Sequence, residues 1–296
     1  GVELIASTGS PAPAGPPDDT LRIRPGGGDH SVRVDNAPSP GLDRVQGDVL
    51  PEIQFTGLLD FLIDENFEVG SITATFVTAH LFGAANYQTI LDNDDTLVIE
   101  GQDGLADNFT VTNPAGLPVV AVSDGSATGV TVTDLGTGLM SPLNRLDINT
   151  LGGDDLVTVD ESSGLIDPLI TYDGGANTDT LLVTGTLEVQ QVEYLPGPDV
   201  LEGRLTYDTN YQEPGKDMTI DFINLEPVID LVPKTVALTV YGTNADNAIN
   251  YTMGPNSGGD PILNPAGFTT GLVSIDAYET IEFANFTGPL PNDGFL

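Results

Sequence analysis

Apolar and polar residues alternate along much of the chain in short runs of the kind that form β-strands. Ile72, Ala74 and Phe76 alternate with serine and threonine, which is the two-residue period of a half-buried strand. Comparable runs predict further strands at 218–225, 236–241, 272–275 and 280–283. A denser apolar stretch at 58–63 instead predicts one short helical turn. The pattern as a whole predicts an all-β protein.

An acidic turn followed by an apolar strand recurs in the central part of the chain. The motif Asp-Asp-Thr-Leu-Val-Ile at 94–99 returns as variants at 154–159, at 178–183 and, as an outlying copy, at 18–23. Asp155 in one unit corresponds to Asp179 in the next, and the glycine pair at 152–153 returns at 174–175. A step in the low twenties suits one coil of a parallel β-solenoid and is too long for a simple hairpin.

Two architectures can hold such repeats. In a parallel β-solenoid each coil stacks on the previous one at about 4.8 Å, and aligned aspartates at the corners form a ladder of carboxylates. In tandem antiparallel β-sandwiches, strands recur every ~8–12 residues with turn signals between them. We predict parallel β-solenoid-like repeats, most clearly over 91–190, with the tandem antiparallel β-sandwiches as the alternative.

Changes in composition along the chain predict three parts. Residues 1–48 form an extended, Pro- and Gly-rich N-terminal arm, with a short strand pair at 21–24 and 31–34. A main β domain with the repeats follows at 49–230, and a C-terminal β module at 231–296. The segment 226–233 resembles a linker between the last two.

Charge separates the arm from the rest of the chain. The chain has 8 Lys and Arg against 44 Asp and Glu, a formal net charge of −36. Such a field disfavours nucleic acid and anionic lipid as partners and attracts cations. Half of the basic residues lie in the arm, which suggests that the arm docks onto the acidic body of the next subunit or domain. They are Arg22, Arg24, Arg33 and Arg44.

Clustered aspartates make calcium the most plausible ligand. Calcium takes six to eight oxygen ligands, which carboxylates, Asn side chains and backbone carbonyls supply. The candidate metal ligands are Asp92, Asp94, Asp95, Asp154, Asp155, Asp173 and Asp179. The alternative is that these aspartates are turn residues whose carboxylates accept hydrogen bonds from their own backbone.

Catalytic chemistry finds little support in the sequence. The chain has no cysteine, and its two histidines, His30 and His80, lie far apart without metal-ligand spacing. Many carboxylate pairs are available for glycoside hydrolysis, but nothing distinguishes one of them. We predict that the protein is not an enzyme.

Several of these units resemble a known class of repeat. The segments 94–101, 151–160, 173–185 and 244–251 are similar to the β-strand repeat regions of large secreted bacterial surface and adhesin proteins. More distantly, they resemble calcium-binding β-roll repeats, although tandem copies at the nonapeptide spacing are missing. The resemblance implies a secreted, extracellular or cell-surface protein without catalytic activity.

We therefore expect an extracellular structural or adhesive repeat protein. It would assemble into a surface layer, filament or envelope structure, with copies of itself or adjacent modules as partners and calcium as a stabilising ion. No apolar run is long enough to span a membrane, and we expect that any export signal has been removed. The alternatives are a monomeric carbohydrate-binding module, whose partner is a glycan, and a glycan-active β-helix enzyme.

Overall fold

The computed structural model describes most of the chain and consists almost entirely of β-strands. The described residues are 3–7, 20–25, 28–48, 50–64, 71–78, 81, 84–113, 120–124, 130–135, 143–210, 217–244, 246–253, 270–275 and 281–284. None of them lies in an α-helix, and among them no helix offers the length and apolar character of a membrane span. The proline-rich stretch at 11–17, His80 and the proline-rich end at 288–291 lie outside these residues.

The described residues form twenty-four strands. They are β1 (Glu3–Ser7), β2 (Thr20–Arg24), β3 (His30–Asn36), β4 (Asp43–Gly47), β5 (Ile53–Phe55), β6 (Leu58–Asp64), β7 (Ile72–Val77), β8 (Ala84–Ile90), β9 (Thr96–Glu100), β10 (Asn108–Thr112), β11 (Val120–Asp124), β12 (Thr131–Asp134), β13 (Arg145–Asn149), β14 (Leu156–Asp160), β15 (Leu169–Asp173), β16 (Thr180–Thr184), β17 (Val189–Pro196), β18 (Gly203–Asp208), β19 (Met218–Ile223), β20 (Val228–Asp230), β21 (Lys234–Val240), β22 (Ile249–Met253), β23 (Thr270–Ile275) and β24 (Ile281–Ala284).

The strands form two mixed sheets. Sheet A has 13 strands in the order β1-β2-β6-β8-β12-β11-β10-β14-β16-β20-β24-β23-β22, and sheet B has 11 in the order β21-β17-β18-β19-β15-β13-β9-β7-β3-β4-β5. From β13 to β16 the chain alternates between the sheets, and each strand pairs in parallel with the next one of its own sheet. Arg145 lies opposite Leu169, and Leu156 opposite Thr180. Both offsets equal the step from Asp155 to Asp179 that the repeats predict.

Antiparallel hairpins interrupt this alternation. In sheet A, β11 and β12 form an antiparallel hairpin after β10 and before the chain enters β13 of sheet B. In sheet B, β17 and β18 form an antiparallel hairpin after β16 and before β19. Where a hairpin is inserted, the parallel offset is about twice as long, since Asn108 lies opposite Leu156. The two sheets therefore combine stacked parallel strands, as in a solenoid, with antiparallel pairs, as in a sandwich.

The apolar faces of both sheets contribute to one continuous hydrophobic core. Strands β9, β13, β14 and β15 share an alternation of half-buried and buried residues, as the two-residue period predicts. Val157 and Val183 are among the fully buried side chains on neighbouring strands. Toward the N-terminus the core contains the rings of Phe61, Phe76 and Tyr87, whose centroids lie 6.1–6.3 Å apart.

Three local predictions are wrong. Residues 58–63 belong to strand β6 rather than to a helical turn, because Phe61 and Ile63 point into the core and β6 pairs with both β2 and β8. The strands at 21–24 and 31–34 exist but lie in different sheets, β2 beside β6 and β3 beside β4 and β7. The segment resembling a linker forms β20, which is fully buried between β16 and β24.

Candidate functional site

Three aspartates stack in a column at one end of the parallel strands of sheet A. Asp107, Asp155 and Asp179 each stand directly before a strand, namely β10, β14 and β16. The N–H of Asp107 donates to Asp155 Oδ1 at 2.7 Å, and the N–H of Asp155 donates to Asp179 Oδ1 at 3.0 Å. The carboxylates of Asp155 and Asp179 therefore each fix the start of the neighbouring strand, while Asp107 Oδ2 accepts the N–H of Gln102 at 2.7 Å. This aspartate column is the carboxylate ladder that the repeats predict, although the sequence pointed only to Asp155 and Asp179.

A glycine lies against each member of the aspartate column. A Cβ atom at Gly153 would lie 2.9 Å from Asp155 Oδ1, and one at Gly174 would lie 2.6 Å from Asp179 Cβ. Gly101 has the same relation to Asp107. The glycines recur at these corners because the aspartate side chains, together with the backbone carbonyls of Leu105 at Gly153 and of Asn224 at Gly174, leave no room for a Cβ atom.

Asp155 and Asp179 of the aspartate column are buried and only partly hydrogen-bonded. Asp179 is 0% exposed and Asp155 2%, and neither Oδ2 atom has a hydrogen-bond partner within the described part of the chain. Burial, with the nearby charge of Asp155, raises the pKa of Asp179 to about 6. A pair of adjacent buried carboxylates favours either a bound proton or a hard cation.

Asp92, Asp94 and Asp95 meet in the turn before β9, where one carboxylate oxygen from each lies within 4.8 Å of the others. Asp95 already accepts two backbone hydrogen bonds, from the N–H of Ile72 at 2.6 Å and from that of Asp92 at 2.8 Å. Burial raises the pKa of Asp95 to about 6, and a hydrogen bond with Asp92 raises the pKa of Asp94. Turn chemistry therefore occupies Asp95 and also engages Asp92, whose Oδ1 accepts the N–H of Asp94 at 3.3 Å. The other Asp92 oxygen and the Asp94 carboxylate could face a cation.

The other predicted ligands do not join this group. Asp154 is exposed and its Oδ1 accepts the N–H of Thr178 at 3.2 Å. Asp173 Oδ1 accepts the N–H of Gly175 at 3.0 Å and the side-chain amide of Asn224 at 2.8 Å. The seven aspartates thus lie at separate corners: the Asp92–Asp95 turn at sheet B, the Asp154–Asp155 and Asp179 corner at sheet A, and Asp173 at the end of β15.

A buried ionic cluster, formed by Glu161, Asp230 and Lys234, was not predicted. All three residues are 0% exposed. Lys234 Nζ lies 3.4 Å from Asp230 Oδ2 and 5.3 Å from the centroid of the Phe283 ring. One sequence feature could have indicated a buried lysine. Lys234 follows an apolar run, and it is one of only four basic residues beyond position 48.

The arginines of the predicted N-terminal arm form ion pairs within the chain. Arg33 donates two hydrogen bonds to the carboxylate of Glu100, each at 2.7 Å. Arg22 and Arg24 both pair with Asp64, and Arg44 pairs with Asp35. These contacts link β2 to β6, β3 to β9 and β4 to β3 within one chain.

Comparison with known proteins identifies no relative. No protein-family model matches the chain, and neither a curated protein nor a solved structure matches it. The likeness to adhesin repeats is therefore one of motifs, and the function has to be inferred from the residues of this chain.

Proposed function

We propose that the protein is a structural module of an extracellular or cell-surface assembly and that copies of it associate through the sheet edges at the β21–β22 end. In this proposal the parallel strands form a solenoid-like stack, and the inserted hairpins project from it. The support is the repeated alternation of the chain between two sheets, with the same parallel offset in each sheet. Stacks of this kind extend in one dimension and leave backbone groups unpaired at their ends.

The apolar face of strand β22 is the observation that carries this proposal. β22 ends the strand order of sheet A, and all five of its residues are exposed. Ile249, Tyr251 and Met253 are 50%, 51% and 80% exposed, and the two-residue period of a strand puts them on one face. An edge strand with an apolar stripe is poorly protected against pairing with another chain.

The edge of sheet B lies at the same end of the stack. β21 ends the order of sheet B and pairs only with β17 among the described strands. Val236 is 37% exposed and lies on this edge strand. Two strands that end their sheets among the described residues and carry exposed apolar side chains suit the end of a second copy better than they suit a small soluble ligand.

Charge sets the conditions for such an association. Two copies with a net charge of −36 each repel one another at low ionic strength. We propose that calcium or high salt relieves this repulsion and that Asp92 and Asp94 are the first ligands that calcium meets. The role proposed for the protein is structural and non-catalytic.

Sedimentation velocity of the full chain over a range of protein and calcium concentrations tests this function. We expect species larger than the monomer at high protein concentration with calcium, and we expect Ile249→Asp to abolish them. Val200→Asp is the matched control, because Val200 is 52% exposed but lies in the turn between β17 and β18. A wild-type chain that stays monomeric under all these conditions would refute the proposal.

A further inference from the structure

The buried ionic cluster lies where the chain crosses from sheet A to sheet B. Asp230 is the last residue of β20 and Lys234 the first of β21, so a short crossover separates them. Asp230 Oδ1 accepts the N–H of Val232 at 2.9 Å, which turns Oδ2 toward the Lys234 ammonium. The backbone thus holds an amine and a carboxyl group side by side in the core.

Glu161 is the third member of the cluster. It follows β14, and its side chain packs so tightly over Gly185 that a Cβ atom there would lie 2.6 Å from Glu161 Cγ. Neither of its carboxylate oxygens has a hydrogen-bond partner within the described residues. Gly185 follows β16, which lies between β14 and β20 in sheet A, so the Glu161 side chain lies between its own strand and the one that carries Asp230. A carboxyl group this deep, without a hydrogen bond, is costly as a purely structural element.

We propose that Lys234 and Asp230 condense into an intramolecular amide cross-link and that Glu161 carries the proton in this reaction. The Lys234 Nζ lone pair attacks Asp230 Cγ, and the Nζ–Cγ bond forms. Protonated Glu161 donates its proton to the Oδ2 hydroxyl of the neutral Asp230 carboxylic acid and takes up one proton from the nitrogen, so it ends protonated. The Cγ–Oδ2 bond then breaks, and Oδ2 leaves as water. One water is released for each amide formed, so the step needs no oxidant and no further reactant.

The environment favours the reactive forms of all three groups. Burial lowers the pKa of Lys234 and raises the pKa of Asp230, so it shifts both groups toward their neutral forms, amine and carboxylic acid. A desolvated lysine is the form in which this side chain acts as a nucleophile. Burial, with the charge of Asp230, raises the pKa of Glu161 to about 8, which suits a group that accepts and returns a proton.

Condensation also removes a cost that an ion pair would retain. A buried pair of charges is often less favourable than a neutral replacement of similar volume. The amide is neutral, and Glu161 beside it stays protonated. The bond also fixes the crossover next to the edge strand β21. This inference stands independently of the assembly proposed for that edge.

The intact mass of the full chain under denaturing conditions is the direct test. We expect a mass lower than the sequence mass by one water molecule, and a sequence mass without this deficit would overturn the proposal. Succinimide formation at an Asp-Gly bond such as Asp173–Gly174 also removes water, but it reverses in mild alkali whereas the amide does not. A deficit that disappears in alkali would therefore count against the cross-link.

Tryptic digestion locates the bond. Lys234 is the last basic residue of the chain and Lys216 precedes it, so an unreacted Lys234 yields the peptides 217–234 and 235–296. Trypsin does not cut after an acylated lysine, so the cross-linked chain yields a single peptide 217–296. Cleavage after Lys216 in the same sample shows that the tryptic digestion is complete.

Two variants assign the roles. Lys234→Met should have its full sequence mass, and a water deficit that persists in it would place the modification elsewhere. Glu161→Gln keeps both reacting residues, so we expect the full mass together with cleavage after Lys234. A cross-link formed at the wild-type rate in Glu161→Gln would overturn the role of Glu161. The mass of the wild-type chain tests the cross-link itself, even if a variant does not fold.

Discussion

Replacing Asp179 by asparagine removes a buried negative charge from the aspartate column while keeping its shape. The asparagine Oδ1 can still accept the N–H of Asp155, which lies 3.0 Å from it in the wild type. Burial raises the pKa of Asp179 from 3.8 to about 6. Each unit of such a shift corresponds to about 1.4 kcal/mol, so the ionised carboxylate destabilises the native state by about 3 kcal/mol at pH 7.

The sign of the pH dependence follows from this shift. Between pH 3.8 and about 6 the native state binds more protons at Asp179 than the unfolded state does. The contribution of Asp179 is therefore most favourable below pH 3.8 and is lost as the pH rises through 6. Asparagine does not titrate, so Asp179→Asn should be more stable than wild type by about 2–3 kcal/mol at pH 7, with the difference vanishing toward pH 4.

Urea unfolding at pH 7 and pH 4, in the presence of a chelator, measures this difference. The expected gain moves the urea midpoint upward by roughly 1 M at pH 7. Asp154→Asn is the matched control, because Asp154 is the exposed aspartate of the same corner and should change the midpoint little. A loss of stability in Asp179→Asn at pH 7 without metal would refute the reasoning about the aspartate column.

Three further predictions concern other contacts. Gly174→Ala places a Cβ atom against the backbone carbonyl of Asn224 and 2.6 Å from Asp179 Cβ, and it should lower stability by about 1–3 kcal/mol. Gly242→Ala, whose nearest neighbour lies 3.4 Å away, should melt like wild type. Equal melting of both variants would contradict the tight corner. A double-mutant cycle of Arg33→Met and Glu100→Gln should give a coupling of about 1 kcal/mol for the two-point ion pair, whereas purely additive effects would show that the pair contributes nothing. Adding calcium after excess chelator should raise the melting temperature of wild type. The rise should be smaller in Asp94→Asn than in Asp199→Asn, the control, because Asp199 is an exposed aspartate of the turn between β17 and β18. Unchanged melting with calcium would leave turn chemistry as the role of Asp92, Asp94 and Asp95.

Strands and their buried faces follow from local sequence patterns. The two-residue period places Ile72, Ala74 and Phe76 inside β7, and all three are buried. The aspartate column was also visible, because Asp155 and Asp179 repeat at the offset at which β14 and β16 pair. Asp107 was missed as a member because the hairpin β11–β12 doubles the offset between β10 and β14.

Features that depend on contacts between residues far apart in the chain could not be predicted from the sequence. Residues 58–63 are apolar enough for a helix or a strand, and only their pairing with β2 and β8 decides for the strand. The segment around Pro227 and Pro233 looks like a linker because proline usually marks irregular structure, yet the core accepts it between β16 and β24. The buried ionic cluster joins residue 161 to the segment 230–234, and no sequence spacing connects them.

Electron microscopy of the purified full chain tests the central claim, that this module stacks end to end into a larger structure. At high protein concentration with calcium or high salt, we predict elongated particles that are longer than one module and that shorten to single modules in Ile249→Asp. Dispersed single modules of the wild-type chain at every protein, calcium and salt concentration would contradict the account.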